Sequence, residues 1–261
     1  MKLSSVLIII GVIIVGLTAS AFTDPVKKEL NLNLQAAGIE TLKIDCGAGY
    51  LKVRGVEGLN QIEVKATLEV KGIDEDELEE FKKEFVDLSL EKSGSKAVLT
   101  SEVKDNFSIS SIFKNKSAHI NLDVQIPKNL ALDVKDGSGS VEIFDMNSDV
   151  ELEDGSGSIT IENINGKLEI EDGSGSIGLN NIGGNVKIND GSGSIDIKDV
   201  GGDLNVDDDS GSIDIKDIKG SVVVDDGSGS ISIYGVDKDV TIKNAGSGGL
   251  SIHNVKGTVK R

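Results

Sequence analysis

The phrase GSGS stands at residues 137, 155, 173 and 191, becomes DSGS at 209 and returns at 227, so every interval is eighteen residues. A degenerate copy, AGSGG, follows at 245 to 249 with one residue inserted before Leu250, and the chain stops half-way through a unit at LSIHNVKGTVKR. A unit this short encloses no core of its own, so it buries apolar surface only by stacking on its neighbours.

The apolar positions inside the unit are as regular as the glycines. After each turn comes an alternating pair, as in Ile159/Ile161, Ile177/Leu179 and Ile195/Ile197. A lone apolar residue follows three positions later (Ile164, Ile182, Val200), and a second alternating pair comes after a polar corner (Leu168/Ile170, Val186/Ile188, Leu204/Val206). Period-2 patterning with β-branched residues between glycine-marked corners reads as strand, turn, strand, turn. The predicted fold is therefore all-β: a parallel β-solenoid (a β-helix or β-roll) of 18-residue coils, two short strands to the coil, with Ile159, Ile177 and Ile195 directly superposed. Aromatic residues are 3% of the chain and Trp is missing, so the core is aliphatic. The second glycine of each turn (Gly139, Gly157, Gly175, Gly193, Gly211, Gly229) occurs in every copy, whereas the first becomes Asp209 once. The second is expected to be the less replaceable, because a sharp corner needs positive φ or close backbone approach.

The N-terminus, MKLSSVLIIIGVIIVGLTASAFTDP, combines Lys2, an apolar run and the small-residue sequence Ala19-Ser20-Ala21. This is the composition of a secretory signal peptide over residues 1–21, the alternative being an uncleaved membrane anchor from Leu3 to Phe22. Residues 22–132 read as an N-terminal β region with one short helix, and 133–261 as the solenoid repeats continuous with it. Within the first region TLKIDCGAGYLKVRGVEGLNQIEV resembles an isolated coil, with Gly47 ninety residues before Gly137 and Cys46 in place of the turn aspartate. IDEDELEEFKKEF predicts a helix over about 74–86, with Asp74 as N-cap and Leu78, Phe81 and Phe85 as an apolar stripe covering the solenoid's open end or side. One cysteine permits no internal disulfide.

A net charge of −17 disfavours nucleic acid and anionic membrane surfaces and favours cations. An acid precedes each turn, at Asp136, Asp154, Asp172, Asp190, Asp208 and Asp226, and a second file runs through Asp145, Asp199 and Asp217. Unit charges one rung apart repel by about 0.9 kcal/mol in water. A calcium-binding ladder is one reading of these files. The acids precede the glycines instead of following them, however, and the opposite corner lacks GGxGxD, so the plainer reading is a solvated face whose aspartates hydrogen-bond their own turns. The paired serines, such as Ser138/Ser140 and Ser156/Ser158, resemble an ice-binding hydroxyl array, but the glycine between them marks a turn. His119 and His253 are isolated in sequence, Arg54 and Arg261 are the only arginines, and no nucleophile, base and orienting group come together. No catalytic, cofactor or metal residue is assigned, and no cofactor is expected.

The run DGSGSIDIKDVGGDLNVDDDSGSIDIKDIKGSVVVDDGSGSI, preceded by INLDVQIPKNLALDVKDGSGS, resembles the bacterial DUF4097 family, which carries an adhesin label. The likeness spans roughly residues 40 to 255 and has no catalytic motif to carry over. It implies an extracytoplasmic, non-enzymatic β-solenoid in a bacterial envelope. Such a module would meet a cell-surface or envelope protein or glycan, and would touch membrane only through an uncleaved N-terminal segment.

Overall fold

The computed structural model describes residues 24–104 and 116–261; the signal peptide expected over residues 1–21 lies outside them. From Ala131 onward the chain winds as a parallel β-solenoid of about seven turns. A representative rung has the short strand Leu168–Asp172, a Gly-Ser corner, the longer strand Gly175–Ile182 and a second corner. Each strand pairs in parallel with its counterpart eighteen residues away, or nineteen in the last rungs. The register Ile159↔Ile177↔Ile195 confirms that these side chains superpose, and all three are buried. Two facing parallel sheets result, with Ile, Val and Leu from both filling the space between them. Each fully buried aliphatic side chain contributes roughly 1.5–3 kcal/mol of transfer free energy.

The N-terminal region builds the base of this stack. Its elements are β1 (Val26–Gln35), β2 (Thr41–Ala48), β3 (Leu51–Val56), β4 (Gln61–Lys71), α1 (Leu78–Phe85), β5 (Val86–Ser93), β6 (Lys96–Val103) and β7 (Ser117–Pro127), and β8 (Ala131–Met146) starts the regular array. The segment that resembled an isolated coil is the rung immediately beneath β8, since Leu42 pairs with Leu132 and Leu51 with Val141. Ninety residues of sequence thus become one step in space, because residues 57–130 loop out and return. That excursion supplies the next layer down, with β6 parallel to β2 and β7 parallel to β3. Antiparallel strands then finish both sheets, β4 and β1 on one and β5 on the other.

The helix buries Leu78, Phe81 and Phe85 as expected, but it is shorter than the span 74–86 and Asp74 is not its N-cap. Asp74 instead opens a preceding turn. Its backbone N–H donates to Glu77 Oε2 (3.0 Å) and its carbonyl accepts from the Glu77 N–H (3.1 Å). A second correction concerns the inserted residue near the C-terminus. Val224 pairs with Ile242 but Asp225 with Asn244, so the extra residue is Lys243, expelled as a bulge six positions before the AGSGG turn ends.

Candidate functional site

The aspartates before the Gly-Ser corner do not form a solvated face. Asp136, Asp154, Asp172, Asp190, Asp208 and Asp226 are all buried, from 7% exposed at Asp172 to 0% at Asp226. The alternation that turns Leu168 and Ile170 inward carries on to Asp172 two residues later, and the strand's pleat leaves the side chain no other face. The part of the plain reading that holds is the turn bond. Oδ1 of Asp154, Asp172, Asp190, Asp208 and Asp226 each accepts from the backbone N–H two residues ahead, at 3.0 to 3.1 Å. Oδ2 of all six is buried without a hydrogen-bond partner.

Pairing from rung to rung makes these residues one continuous file. Cys46 stands beneath Asp136, its Sγ 3.1 Å from Asp136 Oδ1, and the buried Ser101 stands beneath Cys46. Above Asp226 stands Ala245. The sequence marked Cys46 as the substitute for the turn aspartate and Ala245 opens the degenerate AGSGG copy, but Ser101 carries no motif and is visible only through strand register. Burial pushes the Asp154, Asp190 and Asp208 carboxyls up to about 6, with neighbouring file members adding to the shift; Asp136, Asp172 and Asp226 are raised as well, again mainly by burial. Burial first, and then Asp136, also holds the Cys46 thiol in its protonated form.

The expected second acidic file has a different cause. Asp145, Asp199 and Asp217 alternate along the stack with Asn163, Asn181, Gly235 and Asn254, and every one of these seven has φ between +56° and +76°. Asp, Asn and Gly are the residues that tolerate the left-handed region, so backbone shape and not charge selects them. Their side chains link rungs: Asn163 Nδ2 donates to Asp145 Oδ1 (2.9 Å) and Asn181 Nδ2 to Asn163 Oδ1 (2.8 Å), while Arg54 pairs with Asp145. Among the described residues no three His, Cys, Asp or Glu side chains converge as a metal site. His119 lies 3.7 Å from Glu69, and His253 is exposed in the last full rung above Tyr234.

The two larger grooves among the described residues run along the solenoid. One, of about 700 Å³, follows the Gly-Ser corner and is lined by outward acids including Glu153, Glu171, Asp207 and Asp209. The other, of about 670 Å³, follows the opposite corner and the outer face of the short strands, crossing successive rungs through Asp133, Glu151, Lys167, Glu169, Lys187 and Asn205. At that corner the side chain of one rung caps the backbone of the next. Asp149 Oδ1 accepts from the Lys167 N–H, Asn185 Oδ1 from Asp203 N–H and Asp203 Oδ1 from Ser221 N–H, at 2.8 to 2.9 Å. No helix among the described residues is long and apolar enough to cross a membrane.

No curated protein matches the chain. Among solved structures it is similar to a proposed adhesin from Bacteroides fragilis (14% identity, 90% of this chain and 98% of that one, TM-score 0.46) and to a proposed lipid binding protein from Parabacteroides distasonis (17%, 89% and 96%, TM-score 0.47). A proposed cell adhesion protein from Clostridium sporogenes is similar at 13% identity over 90% of this chain and 100% of that one, with a TM-score of 0.32. The sequence profile of the Toastrack DUF4097 family matches residues 60–260, and the chain belongs to that family.

Proposed function

We propose that this chain is an exported, non-enzymatic module that serves adhesion or envelope scaffolding, and that it meets an extended protein or glycan along its side instead of a small molecule in a pocket. The observation that carries this reading is the 670 Å³ groove, which is open, follows the solenoid axis and is lined by equivalent positions of successive rungs. Such a surface repeats at the spacing of stacked strands, about 4.8 Å, and suits a partner that is itself long and regular. The side chains along it are polar and mixed in charge, with Lys187 paired to Glu169 at 2.6 Å. They form no set of nucleophile, base and oxyanion donors. The signal-like N-terminus supports a location outside the cytoplasm.

Deleting the gene is expected to reduce attachment, cell aggregation or resistance to envelope stress, and restoring it with Lys167→Glu and Lys187→Glu together to rescue poorly although the purified variant unfolds at the wild-type temperature. Unchanged behaviour of the deletion strain in all three assays defeats the reading. Full rescue by the double variant moves the contact surface off this groove.

A further inference from the structure

The file of inward aspartates takes no part in the 670 Å³ groove, although Asp136, Asp154, Asp172 and Asp190 border the floor of the 700 Å³ one, and it runs from Asp136 to Asp226 through the repeat array. Six carboxyl groups stand one rung apart, each at least nine-tenths buried with Oδ2 unpartnered; Oδ1 is committed to its own turn in five of them and to the Cys46 thiol in Asp136. Among the groups that line the groove beside the file Lys135 is the one cation, and it lies 3.5 Å from Glu153 on the outer side. Along the file each member faces the members above and below it, with Cys46 under Asp136; on the outer side lie Glu153, Glu171, Asp207, Asp225 and, across the turn, Asp209. A stack of buried, unpaired anions is strongly unfavourable, whereas a protonated carboxyl has an O–H that donates to the next one. Asp136 and Asp154 are direct register partners, and each carboxyl bears on the other's protonation. The file ends in Cys46 over Ser101 on one side and in Ala245 on the other, none of which adds a second anion.

We propose that the six aspartates are a proton-binding column: on folding they take up protons from solvent onto Oδ2, each Oδ2–H donating to the carboxyl of a neighbouring rung, so that mild acid tightens the solenoid. The direction of the pH dependence follows. Groups protonated more readily in the folded chain than in the unfolded one add stability that is complete below the unfolded value, near 3.8, and is lost as pH rises through about 6. The outward acids give no such effect once salt screens them.

The test is thermal unfolding of the full chain in about 0.5 M salt, where surface repulsion is screened. The midpoint is expected to rise by roughly 10 °C from about pH 7.5 to about pH 5. Asp190→Asn keeps an acceptor for the Ser192 N–H and places a permanent donor in the column. It is expected to raise the midpoint at about pH 7.5 and to remove roughly a third of the acid-induced rise, while Glu171→Gln on the outer side leaves that rise intact. A midpoint that is flat or falls on acidification overturns the proposal, as does an Asp190→Asn chain with lower stability and an unaltered pH profile. Should Asp190→Asn fail to fold, potentiometry on the wild-type chain decides: unfolding at about pH 5 releases roughly two to three protons if the column exists, and none if it does not.

Discussion

At the Gly-Ser corner, Asp154, Asp172 and Asp190 turn inward, bond their own turns and lie in the core; at the far end of the longer strand, Asp145, Asp199 and Asp217 hold the backbone at positive φ and face solvent. Both sets recur on the same eighteen-residue period and use the same side chain. The first exchanges with no other residue over six rungs, the second exchanges freely with Asn and Gly. A carboxylate is interchangeable with an amide where only its tolerance of the left-handed backbone counts, and is not where its ionisation is coupled to burial. The two corners also tie the rungs together differently. The Gly-Ser corner relies on backbone packed against backbone, the opposite one on side chains reaching to the next rung's N–H groups.

The strongest way to break this contrast is at the second glycine of the Gly-Ser corner. Gly175 has φ of +145°, and a Cβ there would lie 1.6 Å from the Gly157 carbonyl oxygen, a rigid backbone atom of the rung below. Gly175→Ala is expected to cost more than about 3 kcal/mol and to read out in chemical denaturation as a lost or sharply lowered transition. Gly173→Ala should cost clearly less, since its Cβ would meet backbone at 2.6 Å and the array already accepts Asp209 at the equivalent position. Equal costs would remove the distinction between the two glycines. At the other corner the largest effect comes from shape. Asn181→Val puts a β-branched side chain at φ of +59° and breaks the amide link to Asn163, which predicts a loss of about 2 kcal/mol. Next comes Asp203→Ala, which deprives the Ser221 N–H of its 2.8 Å acceptor at an exposed site and should cost about 1 kcal/mol with no change in the pH profile.

What the sequence made legible follows from where the period holds. From Ala131 to the Lys243 bulge each strand's partner lies eighteen residues away, so superposition of Ile159, Ile177 and Ile195 can be read from spacing alone, and so can the rank order of the two glycines. The period is silent over 57–130. There the pairing of β2 with both β6 and β8 depends on a chain excursion whose closure no local pattern encodes. Burial of the aspartates was encoded and easily missed: Leu168, Ile170 and Asp172 are consecutive odd positions of one strand, and charge argued against an inward placement that the pleat required. The left-handed file was hidden for a different reason. Its members look like a broken acidic ladder until Asn163, Asn181 and Gly235 are counted with them, and then their common property is conformational.

The smallest effect gives the sharpest comparison. Asp199→Asn repeats a residue that the same file already holds two and one rungs earlier, at Asn163 and Asn181, so the left-handed backbone at φ of +57° is retained and the side chain stays in solvent. The exchange removes one negative charge from a chain that carries −17 and an exposed pairing with Lys198 at 3.6 Å, worth little on a solvated surface. The change is predicted to stay within about 0.5 kcal/mol at any pH between about 5 and 7.5. The chemically identical exchange Asp190→Asn is predicted to shift stability in a pH-dependent way, because its carboxyl is buried among other carboxyls. Parallel pH profiles for the two variants would mean that burial does not set these corners apart. Crossing profiles would locate the pH response in the inward file.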